Sequence, residues 1–157
     1  MSRTGQIILA ATLYAFDEDR HALLIRHPRM GIWCPPGGKI APHELPHEAA
    51  LRECWEETGY RVQLLPALGR PVGERWGPPP PLAVDAGPAN GNHLVQLVYC
   101  GVCDHWEGPG EEGIAIRWVS LADLARISLP INVRERYWQF RDLPDGSRGS
   151  LAAILGD

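Results

Sequence analysis

The chain has 157 residues, of which 45% are apolar and 22% charged, and its formal net charge is −4. That length supports one compact domain with its own core and is short for two. The acidic balance argues against a nucleic-acid polymer as the main ligand, because a basic patch is the usual footprint of one.

Ile7 to Phe16 is a nearly continuous apolar run, the pattern of a strand covered on both faces. It reads as a first strand rather than a secretory leader. No apolar run approaches the roughly 20 residues needed to cross a bilayer, so a cytoplasmic protein is expected. Ala22 to Ile25 predicts a second strand, and Gly31 to Cys34 leads into a turn at Pro35-Pro36-Gly37-Gly38. Pro46 to Thr58 predicts a helix: Pro46 suits the first helical position and Gly59 the left-handed stop. Its apolar face would be Leu51, Cys54, Trp55 and Thr58. Arg61 to Leu68 alternates loosely as a strand, and a long Pro/Gly-rich loop follows over about 69–91.

Leu94 to Gly101 predicts a core strand, and Ile114, Ile116 and Trp118 alternate as another. Ser120 with Asp123 and Asn132 with Glu135 resemble capping boxes, opening helices at about 121–126 and 133–141. The turn-rich tail over 142–157 ends in an apolar stretch able to dock on the surface. This irregular mixing implies an α+β domain or an α/β/α sandwich around a mixed sheet, one domain over 1–157.

Two spacings are decoys. Cys100-Gly-Val-Cys103 has zinc-ligand spacing, but no second pair exists, and residues three apart on a strand point to opposite faces. These two, Cys34 and Cys54 read as reduced thiols. His43-Glu44-Leu45-Pro46-His47 spells the zinc-protease pattern, which needs one unbroken helix, and Pro46 denies it that.

The stretch that carries chemistry is Gly38 to Tyr60. On a helix, Glu53, Glu56 and Glu57 fall within an arc of about 100°. Like charges at that spacing repel by a few tenths of a kcal/mol per pair. A bound divalent cation explains such a cluster, because Mg²⁺ and Mn²⁺ favour carboxylate oxygen and bridge it to substrate phosphates. The competing reading is a solvated acidic face.

The spacing Gly38, Glu44, then Arg52-Glu53-Cys54-Trp55-Glu56-Glu57-Thr58-Gly59-Tyr60 resembles the Nudix box, G-x5-E-x7-R-E-U-x-E-E-x-G-U, at every fixed position. Cys54 and Tyr60 depart from the bulky aliphatic residues usual at U. The resemblance implies the α/β/α sandwich and a hydrolase that splits a nucleoside diphosphate linked to another group. It also implies that Glu53, Glu56 and Glu57, with the Gly38 carbonyl, hold Mg²⁺ or Mn²⁺. Arg52 would orient the glutamates, Gly37 and Gly59 would shape the box, and Glu44 would be a structural partner, a direct metal role being the lesser reading. Homodimers are frequent in the family. A nucleotide-binding sensor that keeps the fold without turnover is the alternative.

The general base often lies outside the box in this family. Glu112, six residues before Trp118, is the candidate; Glu111 and a box glutamate are rivals, and a solvated acidic turn is the plain reading. Arg26, Arg29 and Arg75 are candidate phosphate contacts. Trp76 would stack on a base or pack its loop, and His93 would face the pocket or serve the core. The partner implied is a small nucleotide-type molecule, with no nucleic-acid polymer and no membrane. Signatures that separate substrate subfamilies do not appear.

Overall fold

Every second residue of Ile7–Phe16 faces the same way, and both sets are apolar, so this strand (β1) becomes the middle of a sheet. In the computed structural model, which describes residues 5–29, 31–65 and 78–143, it is followed by β2 (Ala22–Arg26), β3 (Trp33–Cys34) and β4 (Gly37–Lys39). Then come α1 (Pro46–Thr58), β5 (Tyr60–Leu64), β6 (Ala83–Ala89), β7 (Asn92–Trp106), β8 (Ala115–Val119), α2 (Leu121–Leu124) and α3 (Ile131–Phe140).

The sheet is mixed. Its order is β3-β2-β1-β7-β5, with β4 paired to β1, β6 to β7 and β8 to β2. β1 and β7 run parallel from Ile7 opposite His93 to Phe16 opposite Val102, and the other pairs are antiparallel. Alternation along β1 then divides the core. Ala11, Leu13 and Ala15 meet Ala49, Ala50 and Cys54 of α1, while Tyr14 and Phe16 meet Val133, Tyr137 and Phe140 of α3. On the second face the rings of Tyr14 and Tyr137 cross edge to face at 4.6 Å, and the Tyr137 hydroxyl donates to the Leu23 carbonyl. The result is the α/β/α sandwich. Cys100 and Cys103 fall in the cores on opposite faces, and all four cysteines are free thiols.

The α1 helix spans the expected residues. The Leu45 N–H is capped by the Glu48 carboxylate at 2.9 Å, and Gly59 ends the helix at φ 79°. Elsewhere the structure corrects the reading. Gly37 and Gly38 are not a turn but strand, because their missing side chains let β4 lie against Ala11 and Thr12. The proposed long loop contains β6, whose residues alternate in burial, closed on β7 by a hairpin at Asn90-Gly91 with φ of 49° and 78°. Pro88 fits there because β6 is an edge strand paired only with β7.

The first residues of β1 are not covered on both faces: Ile7 is 70% and Leu9 52% exposed. Trp55 is not in the core; it lies half-exposed beneath the Arg61 guanidinium. Ser120 caps α2 as expected, but α2 stops at Leu124. Asn132 caps nothing, because α3 already begins at Ile131 after Pro130. Strand β5 closes at Leu64, and residues 66–77 and 144–157 lie outside the described residues. Among the described residues, no helix is long and apolar enough to cross a membrane.

Candidate active site

The site forms where α1 crosses β4. Ala49, Ala50 and Cys54 fix the helix on the sheet, which turns Glu57 and Glu53 toward the two glycines. Glu57 is only 8% exposed, and its Oε1 accepts the Gly37 N–H at 2.9 Å. The Glu53 carboxylate lies directly against Gly38, where a Cβ would stand 2.4 Å from its carbon. Glycine is required here by close approach rather than by backbone angle.

Arg52 organises the other side. Its Nε and Nη2 clasp Glu44 at 2.9 and 2.7 Å, while Nη1 reaches Glu53 at 2.9 Å and Glu56 at 3.0 Å. Nη2 also donates to the Lys39 carbonyl, tying the helix to the end of β4. Glu44 in turn accepts the Ala41 N–H. Glu44 precedes the helix and is bound to Arg52, so the zinc-protease spelling has no structural counterpart.

The electrostatics are uneven. The Arg52 guanidinium holds the Glu44 carboxyl down at about 2. Burial pushes Glu57 up to about 7, with Glu53, Glu111 and Glu56 adding to the rise and the Gly37 N–H opposing it. Glu53 is raised by burial as well, with Arg52 pulling the other way. Two carboxylates largely withdrawn from solvent, whose charged forms are under-compensated, make a donor set that suits a hard divalent cation.

Among the described residues, the group whose ligand-type atoms lie within 4.8 Å of one another is Asp17, Asp19 and His21, not the box glutamates. That group closes the turn between β1 and β2, since Asp17 Oδ1 accepts the N–H groups of Asp19 and His21 and its Oδ2 meets the His21 ring.

Two hollows flank the glutamates. A groove of about 370 Å³ is lined by Trp55, Glu56, Glu107 and Glu111. The loop that forms it is pinned to the helix by the Glu111 N–H on the Glu56 carbonyl at 2.7 Å. Both acids are exposed, but Glu111 is brought to the groove, whereas Glu112 does not line it. On the other side, a cleft of about 280 Å³ runs past Gly37, Gly38 and Lys39 over Thr12 and Tyr14 to Gln96 and Asn132. Gln96 and Asn132 also line a further hollow at Asp85.

Arg26 is exposed and donates to the Gly31 carbonyl at 3.2 Å; Arg29 is exposed and lines neither hollow. His93 is exposed at the start of β7 and lines neither hollow. Arg75 and Trp76 lie outside the described residues. Sequence reasoning missed Gln96, Asn132 and Lys39. A lone amide between Val95 and Leu97 on a core strand was the available signal for Gln96.

The NUDIX domain family model matches residues 7–142. A Clostridium perfringens hydrolase of the NUDIX family superposes with a TM-score of 0.74 at 23% identity, over 92% of this chain and 99% of that one. A MutT protein from Methanosarcina mazei Go1 superposes with a TM-score of 0.63 at 20% identity, over 93% and 100%. A Bacillus subtilis (strain 168) protein with the provisional name 8-oxo-dGTP diphosphatase is 37% identical over 59 residues, 38% of this chain and 40% of that protein. A MutT-like protein of Streptomyces ambofaciens is 45% identical over 47 residues, 30% of each chain. The matched stretches thus span well under half the length of these curated relatives.

Proposed function

Because the chain belongs to the NUDIX family, we propose that it is a divalent-metal-dependent pyrophosphohydrolase acting on a nucleoside diphosphate linked to a further group, in the cytoplasm. The observation that carries this reading is the under-compensated pair Glu53 and Glu57, seated against Gly38 and Gly37 at the mouth of the cleft. Glu53, Glu56, Glu57 and the Gly38 carbonyl would hold Mg²⁺ or Mn²⁺. When bound, the ion neutralises phosphate oxygens and makes a coordinated water easier to deprotonate.

The chain's own residues supply the rest. The cleft over Thr12 and Tyr14 takes the nucleoside, with the Gln96 and Asn132 amides each able to donate to and accept from a base edge. Lys39 borders the same cleft and meets the diphosphate as a point charge. Arg52 is a positioning residue, since its nitrogens are used on Glu44, Glu53 and Glu56. Water attacks phosphorus, a new P–O bond forms, the bridging P–O bond breaks, and the leaving phosphate keeps the electron pair.

Between the adjacent loop acids, Glu111 rather than Glu112 receives the water's proton in this reading. Its support is the backbone tie to Glu56 and the charge it directs at Glu57. The Bacillus subtilis relative with the provisional name 8-oxo-dGTP diphosphatase is the reason to try purine nucleoside triphosphates first.

The test is a panel of nucleoside triphosphates (8-oxo-dGTP included), ADP-ribose, dinucleoside polyphosphates and nucleotide sugars with Mg²⁺ or Mn²⁺, reading phosphate and nucleotide release. Release that stops with EDTA and in Glu57→Gln supports the enzyme. Tight binding with no release across the panel replaces it with a sensor module.

A further inference from the structure

A cavity of about 600 Å³ lies on the far side of Ile32 from the cleft, and Ile32 lines both. Its walls are Trp33 of β3, Arg117 of β8 and, from the segment after α2, Arg126 and Ile127. Arg117 sits 6.0 Å above the Trp33 ring and has no carboxylate partner among the described residues. Arg126 meets Asp123 at 3.6 Å with its side chain 83% exposed, a pairing that solvent leaves weak.

Two more guanidiniums stand behind the rim. Arg26 donates to the carbonyl of Gly31, which lines the cavity, and Arg134 donates to the carbonyl of Ile127 at 3.0 Å. The Nε of Arg134 is buried and meets no acceptor. Two guanidiniums, Arg117 and Arg126, line the hollow against the single lining carboxylate of Asp123, which leaves it net positive on a chain whose net charge is −4. The acids that face a divalent ion lie at the other end of the cleft.

A planar guanidinium fork matches tetrahedral phosphate oxygens, and two forks lining one hollow favour a dianion over a singly charged group. The hollow adjoins the cleft at Ile32, which lines both, so a phosphate held there can belong to a molecule that also occupies the cleft. We propose that it is a second phosphate subsite of this active site, and that preferred substrates carry a further phosphate on the ribose, away from the scissile diphosphate. This rests on placing the nucleoside in the cleft, as above.

Calorimetric titration at low salt with Mg²⁺ tests it, using adenosine and guanosine 5′-monophosphates and their 2′,5′- and 3′,5′-bisphosphates. One bisphosphate should bind one-to-one and roughly tenfold tighter than its monophosphate, the effect of one added charge-assisted contact set. The double variant Arg117→Gln with Arg126→Gln should abolish that advantage and leave monophosphate affinity unchanged. Bisphosphates that bind no better than monophosphates (absence of all binding included) overturn the subsite, as does an advantage that survives in the double variant. A second equivalent of bisphosphate also overturns it, because it indicates a separate effector site. The measurement needs no turnover. A retained bisphosphate advantage with no hydrolysis on the panel removes the enzyme reading alone, and hydrolysis without the advantage removes the subsite alone.

Discussion

The Cα of Gly38 and the carboxylate of Glu53 occupy adjoining space with no room between them: a Cβ would come to 2.4 Å of the carboxyl carbon and of one oxygen. One face of β4 therefore sets where a candidate metal ligand can stand. Gly38→Ala should leave the fold intact, since Glu53 can swing outward, but displace that carboxylate by about the length of one bond. Misplacement on that scale costs on the order of a hundredfold in rate. Hydrolysis rates on the best panel substrate, with circular dichroism as the folding control, check this. A fully active alanine variant would show that Glu53 need not sit where it does.

Glu44 and Arg52 tie the segment before α1 to the helix through a two-pronged contact, with the Glu44 side chain only 8% exposed. Glu44→Ala should cost about 2 kcal/mol, as for loss of hydrogen bonds to a charged group. The acid response follows from the depressed carboxyl at about 2. In the unfolded chain the same group titrates near 4.3. Its contribution is complete above the unfolded value and is lost as the pH falls from there through about 2. Denaturant melts of wild type and Glu44→Gln should converge below that window and separate above it; parallel curves would contradict the assignment.

Glu57 works in the opposite sense. Its pKa of about 7 without metal lies above the unfolded value near 4.3, so the native state binds more protons between the two. Stability of the metal-free protein should fall as pH rises through that interval. Glu57→Gln should flatten the dependence, raise stability at pH 8 in EDTA and abolish hydrolysis. Thermal melts at pH 5 and pH 8, with EDTA and then with excess Mg²⁺, give the comparison. Mg²⁺ should restore the wild type at pH 8 and do little for the variant.

Glu111→Gln should lower kcat by about 10²–10⁴, the usual worth of a positioned base, with KM little changed. Glu112→Gln, on a residue that does not line the groove, should change kcat less than about twofold, as surface substitutions away from a site do. Equal, mild effects in both would return the base to a box glutamate.

Much of the site was legible in one stretch of chain because its determinants are local. Pro46 and Gly59 set the ends of α1, and a helix puts residues three and four apart on one face wherever it lies. The same local logic failed for Trp55. Its side of the helix borders the 107–111 loop rather than the core, and no periodicity reports what a later segment will cover. Asn90-Gly91 was a readable hairpin signal, hidden by the prolines before it. Asn132 resembled a cap by spacing alone, whereas the chain entering from Pro130 had already begun the helix.

The order of residues by itself determined the family, and through it the sandwich, and it singled out three glutamates with Arg52 as candidates, since fixed offsets along one helix need no knowledge of the rest. Only the tertiary structure decided that Glu111 rather than Glu112 reaches the helix, that Gln96 and Asn132 share a cleft, and that Trp33, Arg117 and Arg126 surround one hollow. Those groups lie on separate strands and loops. Their meeting is set by strand register and by which face each side chain takes, and a one-residue shift would reverse either.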